Sequence, residues 1–254
     1  MRKQILIFFI FLGTFAVVQA QSPIDTTKKK TSIWATDHYI DLSAGLGDRT
    51  VAASAQWDKL FGIAKNRIKL GFGVRMNVAN LWDKSYFTAP PQRNTGIFDT
   101  LVVDHQTLYY CNLTFILDVS LLKWWDVGMN IDIVGASWGP ASEATYYSHN
   151  AGYNKTRETV TPETLNLMLF GHNDFGNLNS QFYMRFWPSS NVYIKAGMSL
   201  NTFISHTGNT LNNGNTRFNS GCYMGFLSLG WTPKRSEWKS AGGNGVSTHH
   251  NPDF

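Results

Sequence analysis

The 254-residue sequence lacks several features of helical membrane proteins and of ordinary soluble domains. Beyond its first twenty residues it has no run of about eighteen apolar residues, so a membrane-spanning helix is not expected. Charged residues make up 15% of the chain, against roughly 25% in an average soluble domain. This is little charge for a water-exposed surface.

The basic residues form no block of the kind that binds nucleic acid. The net charge is +5, but the lysines and arginines are scattered along the chain. The chain also begins as an exported protein does, with Met1-Arg2-Lys3, an apolar run at 5–18 and Val18-Gln19-Ala20. These features define a cleaved secretory signal peptide at 1–20. No nucleic-acid partner is expected for an exported chain.

The rest of the chain alternates apolar and polar residues, which is typical of strands with two different faces. Eight such runs span about ten to thirteen residues each, enough to cross a bilayer at a tilt. The three clearest are 67–79, 110–121 and 126–137, and the others are 39–47, 50–60, 178–187, 192–204 and 218–231.

The connections between these runs alternate in length, which indicates a topology. Those at 61–66, 122–123 and 188–191 are short. Those at 81–105, 138–177 and 205–217 are long, with one short turn at 47–49 on their side. Short periplasmic turns and long extracellular loops are typical of outer-membrane barrels. We predict an all-β, eight-stranded antiparallel up-and-down transmembrane β-barrel at 38–231, after a periplasmic lead at 21–37 and before a polar periplasmic tail at 232–254.

A soluble lipocalin-like barrel shows the same alternation, but its apolar residues face inward and its polar residues face water. The composition of the two faces distinguishes it from a membrane barrel. The polar faces here carry mostly Gly, Ser, Asn and Thr, which favours a crowded lumen over a water-exposed surface. Tryptophans also lie near strand ends, as in the aromatic girdles at the two membrane interfaces. The predicted girdle consists of Trp57, Trp82, Trp125, Trp138, Trp187 and Trp231.

The polar face of the strands carries charges of both signs. A barrel of eight strands is just wide enough for its own side chains, and buried charges must be paired. We therefore predict a lumen plugged by paired charges, since an ion pathway would favour a ring of one sign. The predicted network consists of Asp41, Asp58, Arg67, Lys69, Arg75, Asp118, Asp126, Asp132, Arg185 and Lys195.

No reactive site stands out among the cysteines and histidines. Cys111 falls on the apolar face of its strand and Cys222 on the polar face of the last strand, so we expect two free thiols. His206 follows Ser205 in a predicted loop, and no strand carries a histidine and a serine close together. We predict no catalytic, cofactor-binding or metal site, and no enzyme.

The segment 161–171 carries helix start and stop signals. Thr161-Pro162-Glu163 resembles a helix N-terminus, and Gly171 follows an apolar run. We predict a short amphipathic helix over the barrel mouth. The alternation of Leu165, Leu167 and Leu169 supports a hairpin extension as the alternative.

The end of the last strand carries the most specific resemblance. Residues 223–231, Tyr-Met-Gly-Phe-Leu-Ser-Leu-Gly-Trp, look like the terminal signal read by the barrel-assembly machinery, although a tail follows here. With the other strands, 39–231 resembles the small OmpA-like eight-stranded outer-membrane β-barrel family, including Bacteroidetes-type barrels. The resemblance implies the cell outer membrane, contact with its lipid and lipopolysaccharide, and no cofactor.

A barrel fold does not determine an activity. We predict an integral outer-membrane barrel with a structural or surface-interaction role. The alternatives are a lipid-modifying enzyme and a component of a secretion or envelope assembly with a surface or envelope protein partner.

Overall fold

The computed structural model describes residues 36–64, 66–88, 99–147, 155–169, 174–210, 214, 216–233 and 235. The predicted signal peptide, most of the lead and most of the tail lie outside these ranges. No helix in the described part of the chain has the length and hydropathy needed to cross a membrane. The strands are β1 (Thr36–Gly47), β2 (Thr50–Ile63), β3 (Ile68–Thr88), β4 (Thr100–Leu122), β5 (Trp125–Trp138), β6 (Ser142–Tyr147), β7 (Lys155–Pro162), β8 (Leu165–Leu167), β9 (Leu178–Phe186), β10 (Val192–Thr207) and β11 (Arg217–Trp231).

Eight of these strands close into an antiparallel barrel. Around the wall the order is β1, β2, β3, β4, β5, β9, β10 and β11, and β11 pairs back onto β1 with Leu229 opposite Leu42. Every step joins strands that follow each other along the chain, apart from the insertion of β6, β7 and β8 between β5 and β9. The predicted eight-stranded up-and-down barrel is confirmed.

The strands are tilted because their pairing is staggered. Paired residues lead from Leu229 through β1, β2, β3 and β4 to Ala136 on β5. In the other direction they lead through β10 and β9 to Trp125 on the same strand. The two routes reach β5 eleven residues apart, and the bulge residue Ile133 is among the residues between them. The stagger around the barrel is therefore ten residues. A stagger is what closing a barrel with tilted strands, typically at ~35–45°, requires.

Two strands extend much farther than the sequence pattern predicted. β3 ends at Thr88 and β4 begins at Thr100, so most of the predicted loop at 81–105 is strand. The pairing skips Asp83 and Asp104, and Asp83 has a φ of 46°. This irregularity shifts the alternation of inward and outward residues by one position. A strict two-residue alternation in the sequence therefore ends there, and so do the predicted strands.

The extended strands form a smaller ring at the end of the barrel that carries the short β1–β2 turn. In this distal extension, β6 pairs with β4, β7 pairs with β6 and β10, and Phe218 on β11 pairs with Thr88 on β3. Six strands thus close above the turn. Their interior is a buried apolar core that includes Leu101, Val103, Ala144, Tyr146, Val160, Phe203 and Phe218.

The predicted helix at 161–171 is wrong. β7 continues to Pro162, and β8 pairs with β5 through Leu165 opposite Ala136. Phe175 then pairs back onto Leu167. The upper part of β5 offers unpaired backbone groups, and satisfying them outweighs the local helix signals. Residues 170–173 lie outside the described ranges.

Candidate functional site

The interior of the barrel is filled with charged side chains. Nine of the ten predicted lumen charges are at most 2% exposed: Asp41, Asp58, Lys69, Arg75, Asp118, Asp126, Asp132, Arg185 and Lys195. The prediction is wrong for Arg67, which is exposed in the turn before β3 because that strand begins at Ile68. The sequence pattern missed Asp37, which β1 carries into the lumen although it falls in the predicted lead.

The buried basic groups each contact a carboxylate. Burial of a charge in a low-dielectric interior is costly unless a partner and hydrogen bonds compensate for the lost water. The contacts are Lys69 Nζ to Asp37 at 2.7 Å, Lys195 Nζ to Asp41 at 2.8 Å, Arg75 to Asp132, and Arg185 to Asp118. Each pair joins two strands that have one other strand between them in the wall, so the pairs tie the wall together from within.

Arg185 lies at the centre of an aromatic cage. Its guanidinium carbon is 4.8 Å from the ring centres of Tyr39 and Tyr193 and 5.4 Å from that of Tyr183. The Tyr183 hydroxyl also donates to Asp118 Oδ1 at 2.5 Å. A desolvated cation over aromatic rings is stabilised by ~2 kcal/mol or more. The cage therefore adds to the stabilisation that Asp118 gives to the buried guanidinium.

Asp58 is bound by an amide instead of a base. Gln56 Nε2 donates to Asp58 Oδ1 at 2.7 Å, and among the described residues no basic side chain lies within ion-pair distance of it. Gly73 on β3 leaves room for this carboxyl, because a Cβ there would lie 2.1 Å from Asp58 Oδ1. Asn130 Nδ2 extends the amide contacts to Gln56 Oε1 at 3.3 Å.

Trp187 closes the other mouth of the barrel, where β9 ends. It is 5% exposed, and its Nε1 donates to Asp126 Oδ2 at 2.6 Å. Arg235, beyond the last strand, lies 4.0 Å over the indole ring and donates to the Lys123 carbonyl at 2.6 Å. The girdle prediction is therefore wrong for Trp187. Its neighbour Phe186 faces outward, so the alternation itself placed Trp187 inside.

The other predicted girdle residues lie on the outer surface. Trp82, Trp138 and Trp231 are exposed, whereas Trp57 and Trp125 are half-buried against neighbours on the wall. Between the two rims the outer wall is apolar. The side chains that are 58–70% exposed include Leu42, Leu46, Phe182, Met198, Leu227 and Leu229.

The wall is interrupted between β8 and β9, and asparagine side chains close the gap. The Asn177 side-chain oxygen accepts from the Ile204 backbone nitrogen at 3.0 Å. Asn166 Nδ2 donates to Asn112 Oδ1 at 2.7 Å, and its Oδ1 accepts from the Asn177 backbone at 2.7 Å. These amides supply hydrogen bonds where, among the described residues, β8 and β9 form no ladder with each other.

The distal extension adds a dry layer above the charged lumen. The Tyr86 hydroxyl donates to Gln106 Oε1 at 2.7 Å, and Gln106 Nε2 donates to Ser205 at 3.0 Å. Burial raises the pKa of Tyr86 far above its ordinary value, so this phenol stays neutral. Together with the surrounding apolar core, these neutral groups form most of the distal interior, which also contains the buried Lys84.

A polar cluster lies on the outer wall of the distal extension. Thr161 on β7 pairs with His206 on β10, which in turn pairs with Arg217 on β11. His206 Nε2 lies 3.1 Å from Thr161 Oγ1, and His206 Nδ1 lies 3.9 Å from Glu163 Oε2. The predicted loop position of His206 is wrong, because β10 extends to Thr207. No local sequence signal joins two residues on strands so far apart in the chain.

The two cysteines are free, as predicted. Cys222 is buried inside the barrel, and Cys111 is half-buried on the outer face of β4.

Comparisons with known proteins give only distant likenesses. No family model matches the chain, and no curated protein matches it. Neisserial surface protein A is 14% identical, with 80% of this chain and 98% of that chain covered and a TM-score of 0.32. Ail of Yersinia pestis is 11% identical, with 78% and 97% covered and a TM-score of 0.32. A major outer membrane protein of Thermus thermophilus is 11% identical, with 78% and 99% covered and a TM-score of 0.35. At such values the function must be inferred from the chain's own geometry.

Proposed function

We propose that this chain is an integral outer-membrane protein that spans the membrane with its eight-stranded barrel. The observation that supports this is the combination of an apolar outer belt with a charged interior. Soluble monomers rarely expose apolar patches larger than a few hundred Å², and this belt surrounds the wall. A lipocalin-like soluble barrel would have the opposite arrangement.

The proposed role is structural or surface-interacting, with a closed lumen. Paired charges fill the barrel, the distal extension covers one end, and Trp187 with Arg235 covers the other. We propose no chemistry or transport inside the barrel. The proposed contacts are outer-membrane lipid, lipopolysaccharide, the barrel-assembly machinery through β11, and a surface or envelope protein. The narrower Bacteroidetes-type likeness stays a prediction from the sequence.

Adjacent residues on β11 provide a test of the membrane orientation. Leu227 faces outward and Ser228 faces the lumen, where it is 2% exposed. A fluorophore on L227C, in a variant without the native cysteines, should be quenched by spin-labelled lipid, whereas S228C should resist the same thiol reagent until the protein is unfolded. Labelling of S228C in the folded protein together with no quenching at L227C, or a water-soluble monomer, would overturn the proposal.

The closed lumen has its own test. Purified protein in a planar lipid bilayer should show no steady conductance, because the mixed-sign charges are paired and the distal core is apolar. Stable open channels in the unmodified protein would contradict the plugged lumen while leaving the membrane orientation intact.

A further inference from the structure

The outer-wall cluster has the composition of a nucleophile with its base. We propose that Thr161, His206 and Glu163 form a catalytic set that hydrolyses carboxylic esters of amphiphiles at the outer membrane surface. A hydroxyl in hydrogen-bond contact with an imidazole, with a carboxylate behind the second ring nitrogen, is the general arrangement for an activated nucleophile. The substrate class rests on the proposed membrane location, whereas the set itself rests on the geometry alone.

The contacts favour the histidine tautomer that such a reaction needs. His206 Nε2 faces Thr161 Oγ1 at 3.1 Å and can accept its proton. His206 Nδ1 is buried and has no hydrogen-bond partner among the described residues, and it faces the Glu163 carboxylate at 3.9 Å. A proton on Nδ1 is therefore favoured by the nearby negative charge. Distances between such groups are often loose in the absence of substrate and shorten when it binds.

Glu163 is itself held in place. Its Oε1 accepts from the Thr164 backbone nitrogen at 3.1 Å, and its Oε2 lies 3.9 Å from Arg217 Nε. The Arg217 guanidinium is in turn fixed 3.9 Å from the centre of the Phe175 ring. Arg217 is thus a positioning residue for Glu163, and its positive charge lies beside the cluster.

The position of the cluster relative to the apolar belt indicates the substrate. His206 lies six residues beyond Leu200 on β10, which is about 20 Å along a strand and less along the membrane normal because of the tilt. Exposed Leu165 lies four residues after Thr161. An amphiphile with its chain on the belt would present groups near its polar end to Thr161, while a free aqueous ester has no such guide.

The reaction proceeds in two balanced steps. Thr161 Oγ attacks the acyl carbonyl carbon, and its proton moves to His206 Nε2. The C–O bond to the alcohol breaks, and the alkoxide leaves as an alcohol with that proton, so the acyl group remains on Thr161. Water then attacks this ester, with His206 again taking and returning the proton, and releases the carboxylic acid. Glu163 stabilises the imidazolium in both steps.

The test uses the purified full chain in detergent micelles with p-nitrophenyl dodecanoate and a fluorophosphonate probe. We expect ester hydrolysis, and a probe adduct on Thr161 located by peptide mass spectrometry. T161V should abolish both, whereas T161S should keep both. H206Q should lower the hydrolysis rate at least about a hundredfold, as expected for loss of a general base. T159V, on the same strand and the same outer face, is the matched control and should behave like the wild type.

Heat-modifiable gel mobility shows whether each variant is folded. A merely structural Thr161–His206 hydrogen bond predicts a folded wild type with no probe adduct on Thr161 and no hydrolysis above T161V, and this result would overturn the proposal. Lipid quenching at L227C tests the membrane location separately. If that location failed while Thr161 still took the probe, the proposed set would stand and the amphiphile specificity would not.

Discussion

Replacement of Arg185 by methionine tests whether paired charges hold the barrel together. The Arg185 side chain is fully buried, contacts Asp118, and lies 3.9 Å from Asp126. Methionine fills part of the same volume but leaves Asp118 as a buried carboxylate without its base. Removal of one partner of a buried pair typically costs ~3–5 kcal/mol.

The aromatic cage places R185M towards the upper part of that range. Tyr39, Tyr183 and Tyr193 surround the guanidinium, and a desolvated cation–π contact contributes ~2 kcal/mol. A loss of ~4 kcal/mol corresponds to a ratio of folded to unfolded protein roughly a thousandfold lower. The free energy of unfolding, measured by urea titration in lipid vesicles with heat-modifiable mobility as the readout, should fall accordingly.

Two further variants separate pairing from simple loss of volume. The double variant with D118N removes the unpaired carboxylate, so it should recover a large part of the stability that R185M loses. R157M removes an exposed ion pair with Asp104 and should leave the urea midpoint unchanged. Wild-type stability of R185M, or additive losses in the double variant, would refute the reasoning.

Three other changes test the two faces and the lower mouth of the barrel. Leu227→Arg should lower the free energy of unfolding in vesicles by ~2–4 kcal/mol, because it turns a charge towards lipid; an unchanged value would show that this residue does not face lipid. An apolar maleimide should modify Cys111 in vesicles and reach Cys222 only after unfolding, and the reverse order would contradict the assigned faces. Arg235→Ala should increase oxidative footprinting of Trp187 several-fold, and equal footprinting would show that Arg235 does not cover that ring.

The period-2 pattern predicted the eight-stranded barrel well, because each of its strands has one apolar and one polar face. It failed where that condition ends. The distal parts of β3 and β4 lie beyond the skipped residues Asp83 and Asp104, and β6 and β7 join the wall by pairing with β4 and β10, which are distant in sequence. Local signals at 161–171 indicated a helix because backbone pairing with β5 is invisible to them.

The candidate sites divide in the same way. The lumen charges followed from alternation, apart from Asp37 and Arg67, which lie at strand ends where one residue of error changes the assignment. The girdle prediction for Trp187 relied on its place near a strand end. Its alternation with the outward-facing Phe186 indicates an inward position instead. The contact of Thr161 with His206 depends on the β7–β10 register, so only the folded wall reveals it.

The skipped pair also fits the proposed membrane location, in which the wall passes from lipid to water. Along β4 the odd-numbered apolar residues from Leu121 to Tyr109 face outward, whereas Leu101 and Val103 face the distal core. The apolar residues stay at odd-numbered positions on both sides of Asp104. Because the alternation shifts by one residue at Asp104, these positions face outward on one side of it and inward on the other. A barrel has its apolar residues on the outside where it contacts lipid and on the inside where it contacts water. In the proposed membrane location, the irregularity therefore lies near the membrane surface. Asp83 and Asp104 are both exposed. This matches a position just beyond the exposed indole of Trp82 and not one within the acyl region.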